Sequence, residues 1–99
     1  MTSEFSGTWV LVGGASQGIG MATARLFAER GARVVLMARR LEVLESIKAS
    51  LPEPQLHRTL AVDLERLEDV NLNLARLVSD IGPVGVWVNN SGGPKAGPL

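Results

Sequence analysis

Four short runs of branched and apolar residues alternate with three segments of helical periodicity, and that alternation limits the fold of this chain more than any other feature. The runs are Thr8 to Val12, Arg33 to Met37, roughly His57 to Val62, and Val84 to Val88. Runs one, two and four are nearly continuous in apolar side chains, as parallel strands buried on both faces require. Between them, Ile19, Ala22, Thr23, Leu26 and Phe27 recur at the spacing of one helical face. Leu41, Leu44, Ile47 and Leu51 form a second stripe, and Leu67, Val70, Leu74, Leu77, Val78 and Ile81 a third. Gly31, Pro52 and Gly82-Pro83 stand where these helices must stop.

The spacing therefore predicts βαβαβαβ, each helix returning the chain for another parallel strand by a right-handed crossover. That is an α/β open sheet of the doubly wound, Rossmann type, with four strands in the order 3-2-1-4 and three helices. Val84, Val86 and Val88 are expected on one face of the last strand and Trp87 on the other. Trp9 and Trp87 are expected to pack on the sheet. Pro52-Glu53-Pro54 reads as a turn inside the domain, and Gly92 to Leu99 as a loop.

Composition removes several classes of function. The 99 residues suit one small domain, 45% hydrophobic and 20% charged. Acids and bases balance at ten each, so no cationic excess exists to draw a nucleic acid or a membrane surface. The absence of cysteine excludes disulfides and thiolate chemistry, and a single histidine excludes most zinc sites. No apolar run has membrane-spanning length, and the first residues lack the basic and apolar regions of a signal peptide. A cytoplasmic location is the expectation. His57 is expected at the surface or at a strand edge rather than in catalysis, since no acid or nucleophile is placed beside it. Glu29-Arg30 and Glu65-Arg66 read as solvated helix surface.

Chemistry concentrates after the first run. Gly14, Gly18 and Gly20 fall between a strand and a helix in a GxxxGxG spacing. Glycines there permit a sharp turn, a close approach of main chain to ligand, and tight packing of helix on strand. The free amides and partial positive charge of the helix start favour an anion, and Ser16 can add a hydroxyl. A pyrophosphate over Ser16, Gln17, Gly18 and Ile19 fits that description. In dinucleotide-binding units an acid at the end of strand two takes the ribose hydroxyls. Here Ala38 holds that place, and Arg39 and Arg40 follow. A guanidinium can grip a 2′-phosphate that a carboxylate would repel, which points to NADP(H) ahead of NAD(H). Arg39 and Arg40 could instead be solvated residues at a helix start, although cations there oppose the helix dipole.

These segments resemble the short-chain dehydrogenases/reductases. Val12 to Gly20 is similar to the family's TGxxxGIG loop, with Gly13 in place of threonine. Asp63-Leu64 resembles the Asp-Leu/Val pair whose acid contacts the adenine, and Asn89-Asn90-Ser91-Gly92 resembles the NNAG motif along the cofactor ribose. The nearest flavour is the 3-oxoacyl-(acyl carrier protein) reductase-like branch. Read without the family, Asp63 could cap helix three, and Asn89 to Gly92 could be an ordinary turn.

The resemblance implies NADP-linked hydride transfer between the nicotinamide and a small-molecule carbonyl or alcohol carbon. Its general acid is a tyrosine in a YxxxK pair, accompanied by a serine. This chain has no tyrosine. Residues 1–99 are therefore expected to be the N-terminal, dinucleotide-binding portion of a single domain whose catalytic half lies elsewhere. The piece alone is expected to be marginal, oligomeric or dependent on that half. The alternative is a non-catalytic module that binds a nucleotide or a protein partner.

Overall fold

The computed structural model describes residues 5–15, 18–63 and 65–89. Four strands, β1 (Trp9–Gly13), β2 (Arg33–Ala38), β3 (Arg58–Ala61) and β4 (Val86–Asn89), form one parallel sheet in the order β3-β2-β1-β4. Three helices connect them: α1 (Gly18–Glu29), α2 (Leu41–Ser50) and α3 (Leu67–Ile81). A 3-10 turn over Pro54–Leu56 lies in the link from α2 to β3. The expected alternation, strand order and helix count are all present among the described residues, in a Rossmann-type sheet.

Side-chain alternation along the central strands divides the core. Val10, Val12, Val34, Leu36 and Ala38 face α1 and α2, where they meet Ala24, Ala28, Leu44 and Ile47. Leu11, Val35 and Met37 face α3 and meet Leu77, with Val62 beside them. Strands β1 and β2 are therefore covered on both faces, which explains their unbroken apolar character. Each fully buried Leu or Val contributes about 1.5–3 kcal/mol of transfer free energy. Surface polar bonds tie the outer strand in: Thr59 donates to Glu45 of α2 at 2.7 Å, and Arg58 pairs with Asp80 of α3.

The buried face of α1 differs from the expected one. Gly20, Ala24 and Ala28 form it, while Ile19 and Leu26 are 74% and 45% exposed. Three small residues, four apart, let the helix lie close on the sheet, and that closeness turns the larger side chains outward. Phe27 alone of the expected large residues packs inward, edge-on to Phe5 with ring centroids 5.1 Å apart. The helix ends in a Schellman motif. Gly31 adopts φ 94°, its amide donates to Ala28, and the Ala32 amide donates to Phe27.

Strand β4 also departs from expectation. Val86 and Val88 pack toward α1 and α2, but Val84 packs toward α3. Regular alternation begins only at Val86, so Val84 does not share the parity of its neighbours. Trp9 is half-buried on the α3 face. Trp87, expected to pack on the sheet, is 55% exposed, and among the described residues β4 pairs only with β1.

His57 is the largest departure. It is buried, 2% exposed, rather than at the surface. The Val34 amide donates to its Nδ1 at 3.0 Å, so Nε2 carries the proton and donates to the Pro52 carbonyl at 2.8 Å. Burial is the main force holding its pKa below the ordinary imidazole value, against the opposing effect of the Pro52 bond. The imidazole is a clamp between β2 and the turn after α2. That turn is sharp enough to hold Glu53 at φ 52°, a left-handed conformation uncommon outside glycine.

Candidate functional site

The registers bring the carboxyl ends of the strands to one edge. Gly13 of β1 stands opposite Met37 and opposite Asn89, and Ala38 opposite Ala61. The loops after β1, β2 and β3 therefore leave the sheet side by side, and the chain leaves β4 from the same edge. Strand β1 has β2 on one side and β4 on the other, so the chain direction around the sheet reverses there. A crevice at such a reversal, outside the carboxyl ends, is where open α/β sheets hold ligands.

Glycines of the first loop do distinct work. Gly14 takes φ 75°, which a side chain disfavours. The amides of Gly14 and Ala15 both donate to the Met37 carbonyl, at 2.9 and 3.2 Å, binding the loop to the end of β2. A Cβ on Gly20 would overlap the Gly14 carbonyl and come 2.9 Å from its carbon, so the start of α1 lies hard against the loop backbone. A Cβ on Gly18 would meet nothing within 4 Å. One glycine thus closes a packed contact and another opens a space at the helix start. The first-turn amides of α1, Gly18 to Gly20, have no helical acceptor, and their dipole end faces that space. Ile19 stands exposed beside it. The geometry suits an anionic group held by main chain.

Beyond Ala38, which is buried, Arg39 and Arg40 are exposed. Arg40 is the N-cap residue of α2, and its Nε lies 3.4 Å from Glu42 Oε2. Among the described residues Arg39 makes no ion pair. Asp63 follows Val62, whose amide donates to the Ala38 carbonyl at 2.8 Å, so the acid is carried to the end of β2. Its Oδ1 accepts the Glu65 amide at 3.0 Å, and its carbonyl accepts the Arg66 amide. Arg66, not Asp63, is the N-cap residue of α3. The capping role weighed for Asp63 is thus corrected: the turn it closes ends before the helix begins.

The structure gathers Gly14, Gly18, Ile19, Gly20, Arg39, Arg40 and Asp63 along one edge of the sheet. Ser16, Gln17, Leu64, Asn90, Ser91 and Gly92 lie outside the described residues. Sequence reasoning missed the double acceptor at Met37, since a backbone carbonyl leaves no trace in residue type. A depression lined by Gly7, Arg33, Glu53 and His57 lies at the opposite end of β2, away from these residues. Among the described residues no group of three or more acidic or histidine side chains could hold a metal ion, and no helix is long and apolar enough to cross a membrane.

Comparison with known proteins agrees with this architecture. Residues 8–99 match the short chain dehydrogenase family. The glucose 1-dehydrogenase of Gluconobacter oxydans is 40% identical over 91 residues, which are 90% of this chain and 34% of that protein. The L-sorbose reductase of Gluconobacter frateurii, solved with NADPH and L-sorbose, superposes with a TM-score of 0.81 at 35% identity over 100% of this chain and 38% of that one. A metagenomic short-chain oxidoreductase in complex with NADP superposes with a TM-score of 0.80 at 35% identity, over 89% of this chain and 40% of that one. The chain thus spans well under half the length of these relatives. The sheet order, the glycine-lined helix start at its reversal point and these matches lead to one conclusion: the chain belongs to the short chain dehydrogenase family.

Proposed function

We propose that the protein binds NADP(H) across the carboxyl ends of its strands, and that the whole protein transfers hydride between this cofactor and a small-molecule carbonyl or alcohol. The observation that carries the reading is the open start of α1 at the reversal point, a glycine-lined cradle next to a strand that ends in Ala38-Arg39 rather than in an acid. The pyrophosphate lies on the amides of Gly18, Ile19 and Gly20, with Gly14, Ser16 and Gln17 completing the loop. Asp63, of the Asp63-Leu64 pair, takes the adenine, and Asn90, Ser91 and Gly92 are assigned to the cofactor ribose by their likeness to the NNAG motif. Arg39, helped by Arg40, takes the 2′-phosphate by paired charge-assisted hydrogen bonds. When bound, the nicotinamide supplies or accepts the hydride. The work of these 99 residues is to bind and orient it.

Residues 1–99 then form the cofactor-binding portion of a single domain, and the proton-transferring tyrosine, with the lysine that lowers its pKa and the serine that holds the substrate oxygen, comes from the remaining half. That half, docked on β4, covers Trp87 and the half-buried Val86 and Val88. The two bound neighbours, one with NADPH and one with NADP, support the choice of cofactor. The balanced charge agrees with neither nucleic acid nor membrane as partner, and a cytoplasmic location is part of the same proposal.

The test is Arg39→Asp with titration of both cofactors. The ratio of NADP to NAD affinity should fall at least about tenfold, the loss of one charge-assisted pair to a phosphate together with added repulsion. An unchanged ratio would remove the 2′-phosphate role.

A further inference from the structure

The mouth of α2 already contains an anion. Arg40 is its N-cap residue, and its carbonyl accepts the amides of Val43 and Leu44. The donors left at that mouth are the amides before Val43 and the two arginine side chains. Glu42, in the first turn, occupies some of them: its carboxylate bonds to Arg40 Nε, and a hydrogen bond to its own backbone amide is the first cause holding its pKa below the ordinary carboxylate value. These are the same kinds of donor, main-chain amide and guanidinium, that a phosphate arriving at this corner would use. The next carboxylate along the helix, Glu45, accepts from Thr59 of β3 instead. Arg39 makes no ion pair among the described residues.

We propose that Glu42 is a built-in counter-anion of the 2′-phosphate corner: it occupies Arg40 and leaves Arg39 as the cation that discriminates the phosphorylated ribose. This rests on the reading of the arginine pair given above. Two adjacent cations then have unequal parts. Arg39 is open to the ligand. Arg40 is engaged through Nε alone, at 3.4 Å, and meets any further anion with the Glu42 charge close by. Glu42 is thereby a specificity-determining residue that restrains the preference for NADP(H), and it acts through Arg40 as a positioning residue rather than by touching the reacting atoms.

Adenosine 2′,5′-bisphosphate and adenosine 5′-monophosphate are the probes, titrated calorimetrically into the full chain, Glu42→Gln, Arg40→Ala, the double variant and Arg39→Ala. Removing the charge at Glu42 should raise the bisphosphate-to-monophosphate affinity ratio about threefold to tenfold, the range of an exposed pair together with a nearby like charge. In the Arg40→Ala background the same substitution should change that ratio less than about twofold, the sign of coupling through Arg40. A ratio that stays or falls in Glu42→Gln overturns the proposal, and so does a rise that persists without Arg40, because a general loss of negative charge would act in both backgrounds. The underlying reading fails separately. A wild-type chain that does not prefer the bisphosphate refutes both, whereas a preference abolished by Arg39→Ala but untouched by Glu42→Gln refutes the Glu42 role alone.

Discussion

The two ends of the sheet are built to opposite rules. At the amino end polar groups close on one another. The Phe5 amide donates to Arg30, the Thr8 amide to Phe5, the Arg33 amide to Thr8 and the Val34 amide to His57, all at 2.8–3.1 Å. An aromatic pair and a left-handed glycine seal the same corner. At the carboxyl end the first-turn amides of α1 and the Arg39 side chain have no such partner among the described residues. Buried donors left unpaired cost free energy, so the amino end gains stability by completing its bonds. The carboxyl end keeps donors in solvent, where they cost little and can be transferred to a ligand.

Substitutions at each end should separate these rules. The largest cost to folding is expected at Gly20, where the loop backbone fills the space a Cβ needs. Gly20→Val should destabilise by about 3 kcal/mol through forced overlap and should abolish nucleotide binding, read by thermal melting and cofactor titration. A melting point near that of the parent would mean that the close contact does not matter.

Next comes His57→Phe, which fills the volume but strands the buried Val34 amide; a loss of about 2 kcal/mol is expected, with the bisphosphate preference of the folded fraction retained. Acid should act through the same residue. Its folded pKa lies below that of the unfolded chain, near 6.5, so the unfolded state binds more protons once pH falls below that value. The contribution of His57 is thus complete above about pH 6.5 and declines as pH drops toward the folded pKa. Denaturant titrations across that range should show the decline in the parent and lose this part of it in His57→Phe; an equal slope in both would remove the clamp.

The smallest effect on folding is expected two residues from the largest. Gly18→Val has open space around its Cβ and improves helix propensity, so stability should change by less than about 0.5 kcal/mol. Binding should nonetheless weaken at least about tenfold, because the added methyls enter the space proposed for the pyrophosphate. If binding survives, the cradle lies elsewhere.

Elements written in local residue pattern were legible in the sequence. The unbroken apolar runs at Val10 to Val12 and Val34 to Met37 gave the central strands, and Gly31 and Gly82 marked helix ends that the backbone bears out, at φ 94° and 92°. Contacts set by distance of approach were not. The apolar periodicity of α1 pointed to Ile19 and Leu26, yet the helix lies on Gly20, Ala24 and Ala28, because large side chains would have held it off the sheet. A reading weighted to small residues at i, i+4 and i+8 would have found that face. The burial of His57 is hidden in the sequence for a related reason: its acceptor role is fixed by an amide 23 residues away, and no neighbour in sequence announces it. Residue type assigns Trp87 to packing, but more than half of it is exposed.

The Met37 carbonyl, which accepts both Gly14 and Ala15, has a consequence for redesign. It rivets the loop proposed to cradle the diphosphate to the strand whose next residues are Ala38 and Arg39, so the two halves of the proposed dinucleotide grip share one anchor. On that proposal, exchanging side chains at 39, 40 or 42 should retune cofactor choice and leave the anchor in place. Lengthening or shortening the second strand by a single residue would disengage the rivet and misalign both halves at once.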